Sequence, residues 1–77
     1  MMTELQWRKV FADRLSYMMR QNNVTQRRLA NASGITEAAI SYYLSGRKTP
    51  SFKAIINLAY VFNCTIEDLI DFGEQIE

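Results

Sequence analysis

The residues of this 77-residue chain with the most chemistry to offer are cations held in two short groups. Gln26-Arg27-Arg28 is one; Arg47-Lys48, with Lys53 shortly after, is the other. Lys and Arg in such groups act as fixed positive charges toward a polyanion, and a glutamine amide adds directional hydrogen bonds. Between the groups stands a stretch with a carboxylate, a methyl and hydroxyls: Thr36, Glu37, Ala38, Ser41 and Tyr42. Other chemistries have no comparable set. The chain has no His and one Cys, so no nucleophile, base and orienting group assemble, and no enzyme activity is expected. Glu67, Asp68 and Asp71 are the nearest thing to a metal cluster, but acids opening a helix and facing solvent account for them. No metal or cofactor is expected.

The overall charge of +1 hides an uneven distribution. Residues 1–53 carry all nine basic residues against Glu4, Asp13 and Glu37, a net +6, whereas residues 54–77 carry five acids and no base. Such asymmetry suggests a polyanion-binding part with an acidic remainder. The plainer reading is that acids decorate the last helix and aid solubility. One Cys cannot close an internal disulfide, which fits a reducing cytoplasm better than secretion. The longest unbroken apolar run, residues 58–62, falls far short of the ~18 residues of a membrane span. No signal peptide is evident at the N-terminus.

The elements that must position these groups read as helices almost throughout, and the whole of 1–77 reads as a single all-α domain. Thr3-Glu4-Leu5-Gln6 is a capping box, followed by Trp7, Phe11, Leu15 and Met18 on one face. Asn22-Asn23 ends that helix, since Asn tolerates the left-handed geometry found there. Thr25 caps a second, short helix that stops at Ser33-Gly34. Thr36 caps a third, running to about Leu44, with Ala39, Ile40, Tyr43 and Leu44 inward. Its outward side is Glu37, Ala38, Ser41, Tyr42 and Ser45. Residues 46–50 form an extended loop, because Pro50 disfavours helix at Thr49. Ser51 caps a fourth helix to Phe62, closed by Asn63, with Phe52, Ile55, Ala59 and Phe62 as its core stripe. Thr65 caps a fifth, which begins an acidic C-terminal helix and tail over 65–77.

Two helices crossing over a short turn need a small residue where their backbones approach, a glycine at the reversal and an apolar anchor on the second helix. Ala30, Gly34 and Ile40 have that spacing. The sequence from Thr25-Gln26-Arg27-Arg28-Leu29-Ala30 through Gly34-Ile35-Thr36 therefore resembles the phage-repressor and Cro-type helix-turn-helix family. Ile40-Ser41-Tyr42-Tyr43-Leu44-Ser45-Gly46 to Ser51 continues the likeness, and so do Phe11, Arg14, Leu15 and Met18 upstream and residues 62–69 downstream. It covers about residues 7–72, with the helix-turn-helix itself at 25–45.

The resemblance implies a compact five-helix, lambda-repressor-like DNA-binding bundle. It also implies sequence-specific binding of double-stranded DNA by a transcriptional regulator, a repressor acting as a dimer. By position, Thr36, Glu37, Ala38, Ser41 and Tyr42 match the family's base-reading face. Gln26 matches a phosphate clamp, and Thr25, Arg27, Arg28, Arg47, Lys48 and Lys53 fall at or beside phosphate-contacting positions. Cations in the first turn of a helix oppose its dipole, and an approaching phosphate reverses that sign. The alternative for these cations is simple solvation. A paired Arg and Glu often join the first and third helices in the family; here Met19 and Leu44 replace both, leaving no orphan charge.

From Phe52 to Phe62 only Lys53 and Asn57 are polar. A helix apolar on all sides needs burial on more than one. Ile56, Tyr60 and Val61, with Cys64, Phe72 and Ile76, are expected to meet a second subunit, or else to be covered by the fifth helix and tail. That apolar helix and the lack of a bidentate base reader on the third helix leave a second class open. In it, the chain is a helix-turn-helix interaction module whose partner is a protein such as a regulator or toxin. Trp7 reads as a lid on the core or an exposed residue, and Cys64 as a small buried hydrophobe rather than a reactive thiol.

Overall fold

The computed structural model describes residues 2–70, and every regular element among them is a helix. In order these are α1 (Glu4–Asn22), α2 (Gln26–Ser33), α3 (Glu37–Leu44), α4 (Phe52–Phe62) and α5 (Ile66–Ile70). Each begins where a hydroxyl residue caps it. The Thr3 hydroxyl accepts from the Gln6 amide at 3.2 Å while the Thr3 amide donates to Gln6 Oε1 at 2.8 Å, completing the expected capping box. Thr25, Thr36 and Ser51 each accept from the backbone amide three residues on, at 3.1 Å. Thr65 accepts from Asp68 N–H, and its own amide donates to Asp68 Oδ2, so α5 has a reciprocal cap too.

The stops are as local as the starts. Asn23 and Asn63 take left-handed backbone (φ 54° and 53°), and each donates back into its helix. Gly34 ends α2 at φ 74°, its amide bonded to Ala30 O at 3.0 Å. A Cβ there has open space around it, so Gly34→Ala is opposed by backbone strain alone. We expect that variant to lose about 1 kcal/mol in a urea titration, with its helical CD spectrum unchanged.

Phe11, Leu15, Leu29, Ile40, Leu58 and Leu69 are completely buried, so every helix contributes to one core. α2 packs against α3 and α4, α3 also against α1, and α5 against α1 and α4. Ala30 lies half-buried beside that core at the α2 end, and Ile40 anchors α3 in its centre, as the helix-turn-helix spacing requires. Tyr43 meets Phe11 edge-on, centroids 5.8 Å apart, and Trp7 stacks flat over Phe11 at 5.7 Å as the lid. Three polar ties fix the layout. Asn57 Nδ2 donates to Ser33 O at 3.3 Å, joining α4 to the end of α2. Arg14 Nε donates to Asp68 O at 2.6 Å, joining α1 to α5. Arg8 Nε donates to Thr49 Oγ1 at 2.9 Å, joining α1 to the loop after α3.

One core assignment is overturned. Phe52 is 67% exposed and takes no part in the α4 stripe, which is Ala54, Ile55, Leu58, Ala59 and Phe62. As the first residue of α4 it leans back beyond the helix end, because helical Cβ atoms tilt toward the N-terminus. On the other side of α4, Ile56 and Tyr60 are exposed despite the packing of α5 on that helix, with Tyr60 84% accessible. Val61 and Cys64 are half-buried against the core. Phe72 and Ile76 lie outside the described residues.

Candidate nucleic-acid interface

α3 is short because the chain caps it at both ends. Thr36 supplies the start, and at the finish Gly46 N–H bonds to Tyr43 O while Arg47 N–H bonds to Tyr42 O, at 3.2 and 2.9 Å. This paired closure needs left-handed backbone at Gly46, which it has (φ 72°). Ile40 and Tyr43 pin the inner side. Thr36, Glu37, Ala38, Ser41, Tyr42 and Ser45 therefore emerge together on the outer side, all exposed. The inward and outward sides agree with the periodicity at every position.

What this face offers is a carboxylate that accepts, a methyl, and hydroxyls that donate or accept. Ser45 Oγ is already committed to Tyr42 O, at 3.1 Å. α2 runs beside it. Arg27, Asn31 and Gly34 from α2 and its turn line a shallow cleft with Ile35, Thr36 and Glu37, so the outer edge of α2 and the start of α3 form one surface. Asn31 was not singled out from sequence, yet it stands one helical turn beyond Arg27 and lines the same cleft. That i, i+4 spacing was the available signal.

The two cation groups flank this face in the chain. Thr25, Gln26, Arg27 and Arg28 open α2, all exposed; Arg47 and Lys48 follow α3; Lys53 lies in the first turn of α4. Among the described residues the ion pairs are Glu4–Arg8 and Lys9–Asp13, both within α1. None of the cations around the helix-turn-helix is neutralised by a carboxylate of the described residues. Thr25 caps Arg28 N–H, while the amides of the two residues before it have no partner within the helix, as at any helix start.

The Thr49 hydroxyl, and then the Arg8 guanidinium, hold the Glu4 carboxyl below its ordinary range. Burial, and then the Asp68 carboxylate, push the Cys64 thiol up. Cys64 is thereby kept as thiol, and we expect it to react with iodoacetamide at pH 7.5 several-fold more slowly than free cysteine, read by mass spectrometry. No group of His, Cys, Asp and Glu among the described residues is arranged to hold a metal ion. No helix among them is long and apolar enough to cross a membrane.

Comparison with known proteins agrees with this geometry. Residues 14–75 match the Cro/C1-type HTH DNA-binding domain. An uncharacterized HTH-type transcriptional regulator of Archaeoglobus fulgidus is 38% identical over 53 residues, 69% of this chain and 75% of that protein. The uncharacterized HTH-type transcriptional regulator YqaE of Bacillus subtilis is 29% identical over 68 residues, 88% of this chain and 58% of its own length. No solved structure matches the chain. With α2 and α3 crossing at Gly34, the outer face of α3 exposed and the match covering most of its length, the chain belongs to the Cro/C1-type helix-turn-helix DNA-binding family.

Proposed function

We propose that this protein is a sequence-specific, double-stranded-DNA-binding transcriptional regulator acting as a dimer, and that it works as a repressor. One observation carries the reading: the exposed outer face of α3 lies between two groups of cations that no described carboxylate neutralises. Thr36, Glu37, Ala38, Ser41 and Tyr42 would meet base edges in the major groove, Glu37 accepting from a cytosine amino group and Ala38 packing a thymine methyl. Gln26, Arg27 and Arg28 on one side and Arg47, Lys48 and Lys53 on the other would hold phosphates. The unpartnered amides at the start of α2 suit the same anion. Because this face has no Arg, Asn or Gln for bidentate base contacts, part of the discrimination falls to DNA shape.

A dimer places two α3 helices about 34 Å apart in successive major grooves, and its bulk excludes polymerase from the promoter. Selection from random duplexes of about 30 base pairs tests this. The expected product is an inverted repeat with half-site centres about 10 base pairs apart, bound with a log K against log salt slope of roughly −4 to −5 per subunit. An unenriched pool with a shallow slope would sink the proposal.

Exposed Phe52, Ile56 and Tyr60 favour one other reading, a helix-turn-helix module that binds a protein. In the present proposal Ile56, Tyr60 and Val61 form the dimer contact instead. Gln26→Ala separates the two: it weakens duplex binding and leaves a partner seated on Tyr60 in place.

A further inference from the structure

In the loop between α3 and α4, the Thr49 side chain is tied to α1 through both of its hydrogen-bonding capacities. Its Oγ1 accepts from Arg8 Nε at 2.9 Å and donates to Glu4 Oε2 at 2.7 Å, across more than forty residues of chain. Arg8 and Glu4 are themselves one turn apart on α1 and close the triangle with a 2.7 Å ion pair. A hydroxyl can both accept and donate, so Thr49 satisfies a cation and an anion together.

The position of this contact in the loop is what gives it meaning. Arg47 is fixed at its backbone, where its amide bonds to Tyr42 O at the end of α3. Thr49 is fixed at its side chain, and Pro50 behind it is buried. Arg47 and Lys48 therefore sit between two anchors, one on the recognition helix and one on α1. A flexible loop would pay rotameric and backbone entropy to bring both cations onto neighbouring phosphates, whereas a loop tied at both ends has paid it in folding. The triangle is also electrically balanced, Glu4 against Arg8, so it anchors the loop without placing a net negative charge beside Arg47 and Lys48.

We infer that Glu4, Arg8 and Thr49 are positioning residues for DNA binding: they hold the 46–50 loop so that Arg47 and Lys48 meet the phosphate backbone together. The inference rests on the DNA-binding reading above. It makes the start of α1, which touches no DNA in that reading, part of the binding machinery.

The test substitutes Thr49→Val, which keeps the β-branched shape and removes both hydrogen bonds, and measures affinity for a random-sequence duplex of about 30 base pairs in about 50 mM salt. Binding is expected to weaken roughly fivefold or more, and Thr49→Ser, which restores the hydroxyl, to recover most of it. In an Arg47→Ala/Lys48→Ala background the same Thr49→Val change is expected to cost less than about twofold, since nothing remains to be positioned. The Arg47 amide is also expected to exchange its hydrogen several-fold faster in the Thr49→Val protein. A CD melt verifies that the variant folds. Equal losses in both backgrounds, or a Thr49→Val protein that binds as well as the unaltered one, overturn the inference and leave the DNA-binding reading standing. An unaltered protein that binds no duplex overturns both.

Discussion

With Arg27, Arg28, Arg47 and Lys48 all changed to Ala, the protein is expected to fold as before and to lose about a thousandfold in duplex affinity per subunit near 0.1 M salt. The figure follows from counterion release. Each phosphate contact contributes about 0.9 to the slope of log K against log salt, so four contacts carry three to four decades at that ionic strength. The slope should flatten by the same count, from roughly −4 or −5 toward −1. Stability should move little. Arg27 and Arg28 oppose the α2 dipole from its first turn, and their removal is worth a few tenths of a kcal/mol in favour of folding. Arg47, beyond the C-terminus of α3, has the opposite sign and offsets part of that gain. A variant that is as stable as its parent and has lost its salt slope would place the effect on phosphate contacts. A variant with the parent's slope would remove these four residues from the interface.

Ile40→Ala should be the more damaging change to the fold. Ile40 is wholly buried where α3 enters the shared core, among Phe11, Leu29 and Leu58. Truncating such a side chain costs about 2–5 kcal/mol through lost transfer energy and the cavity left behind. A domain of 77 residues holds about 4–12 kcal/mol in total. The variant is therefore expected to lose a large share of its stability in a denaturant titration, and its duplex binding at 37 °C with it. Full binding at 37 °C together with an unshifted midpoint would show that α3 is held from elsewhere.

How far the sequence foretold this arrangement depends on the range of the forces involved. Caps act within three or four residues, and Thr3, Thr25, Thr36, Ser51 and Thr65 each start the helix expected of them. The turn glycine and the two terminal asparagines are equally local and equally legible. The outer face of α3 could be read because helical periodicity, anchored by Ile40, fixes which residues face away. Phe52 was misplaced because periodicity describes the middle of a helix and fails at its first residue, which overhangs the end. Glu4, Arg8 and Thr49 left no trace in the pattern, since only the packing of α1 against α3 brings positions 45 residues apart within 2.7 Å. Asn57 with Ser33 O is invisible for the same reason. The exposed ridge of Ile56 and Tyr60 showed as a surplus of apolar residues, but composition does not say which surface meets it.

Met19, Val24 and Leu44 line a shallow cleft at the seam of α1 and α3, with Met19 buried and the other two half-buried against the core. The scaffold beneath α3 is thus joined there by dispersion and the hydrophobic effect, which added electrolyte does not screen. Binding to a polyanion, in contrast, weakens steeply as electrolyte is added. On the proposed DNA-binding reading, one experimental variable therefore acts on one equilibrium and spares the other: raising ionic strength would strip the domain from DNA and leave it folded. If the proposed DNA binding holds, a rise in salt would release the domain intact, ready to rebind without a refolding step.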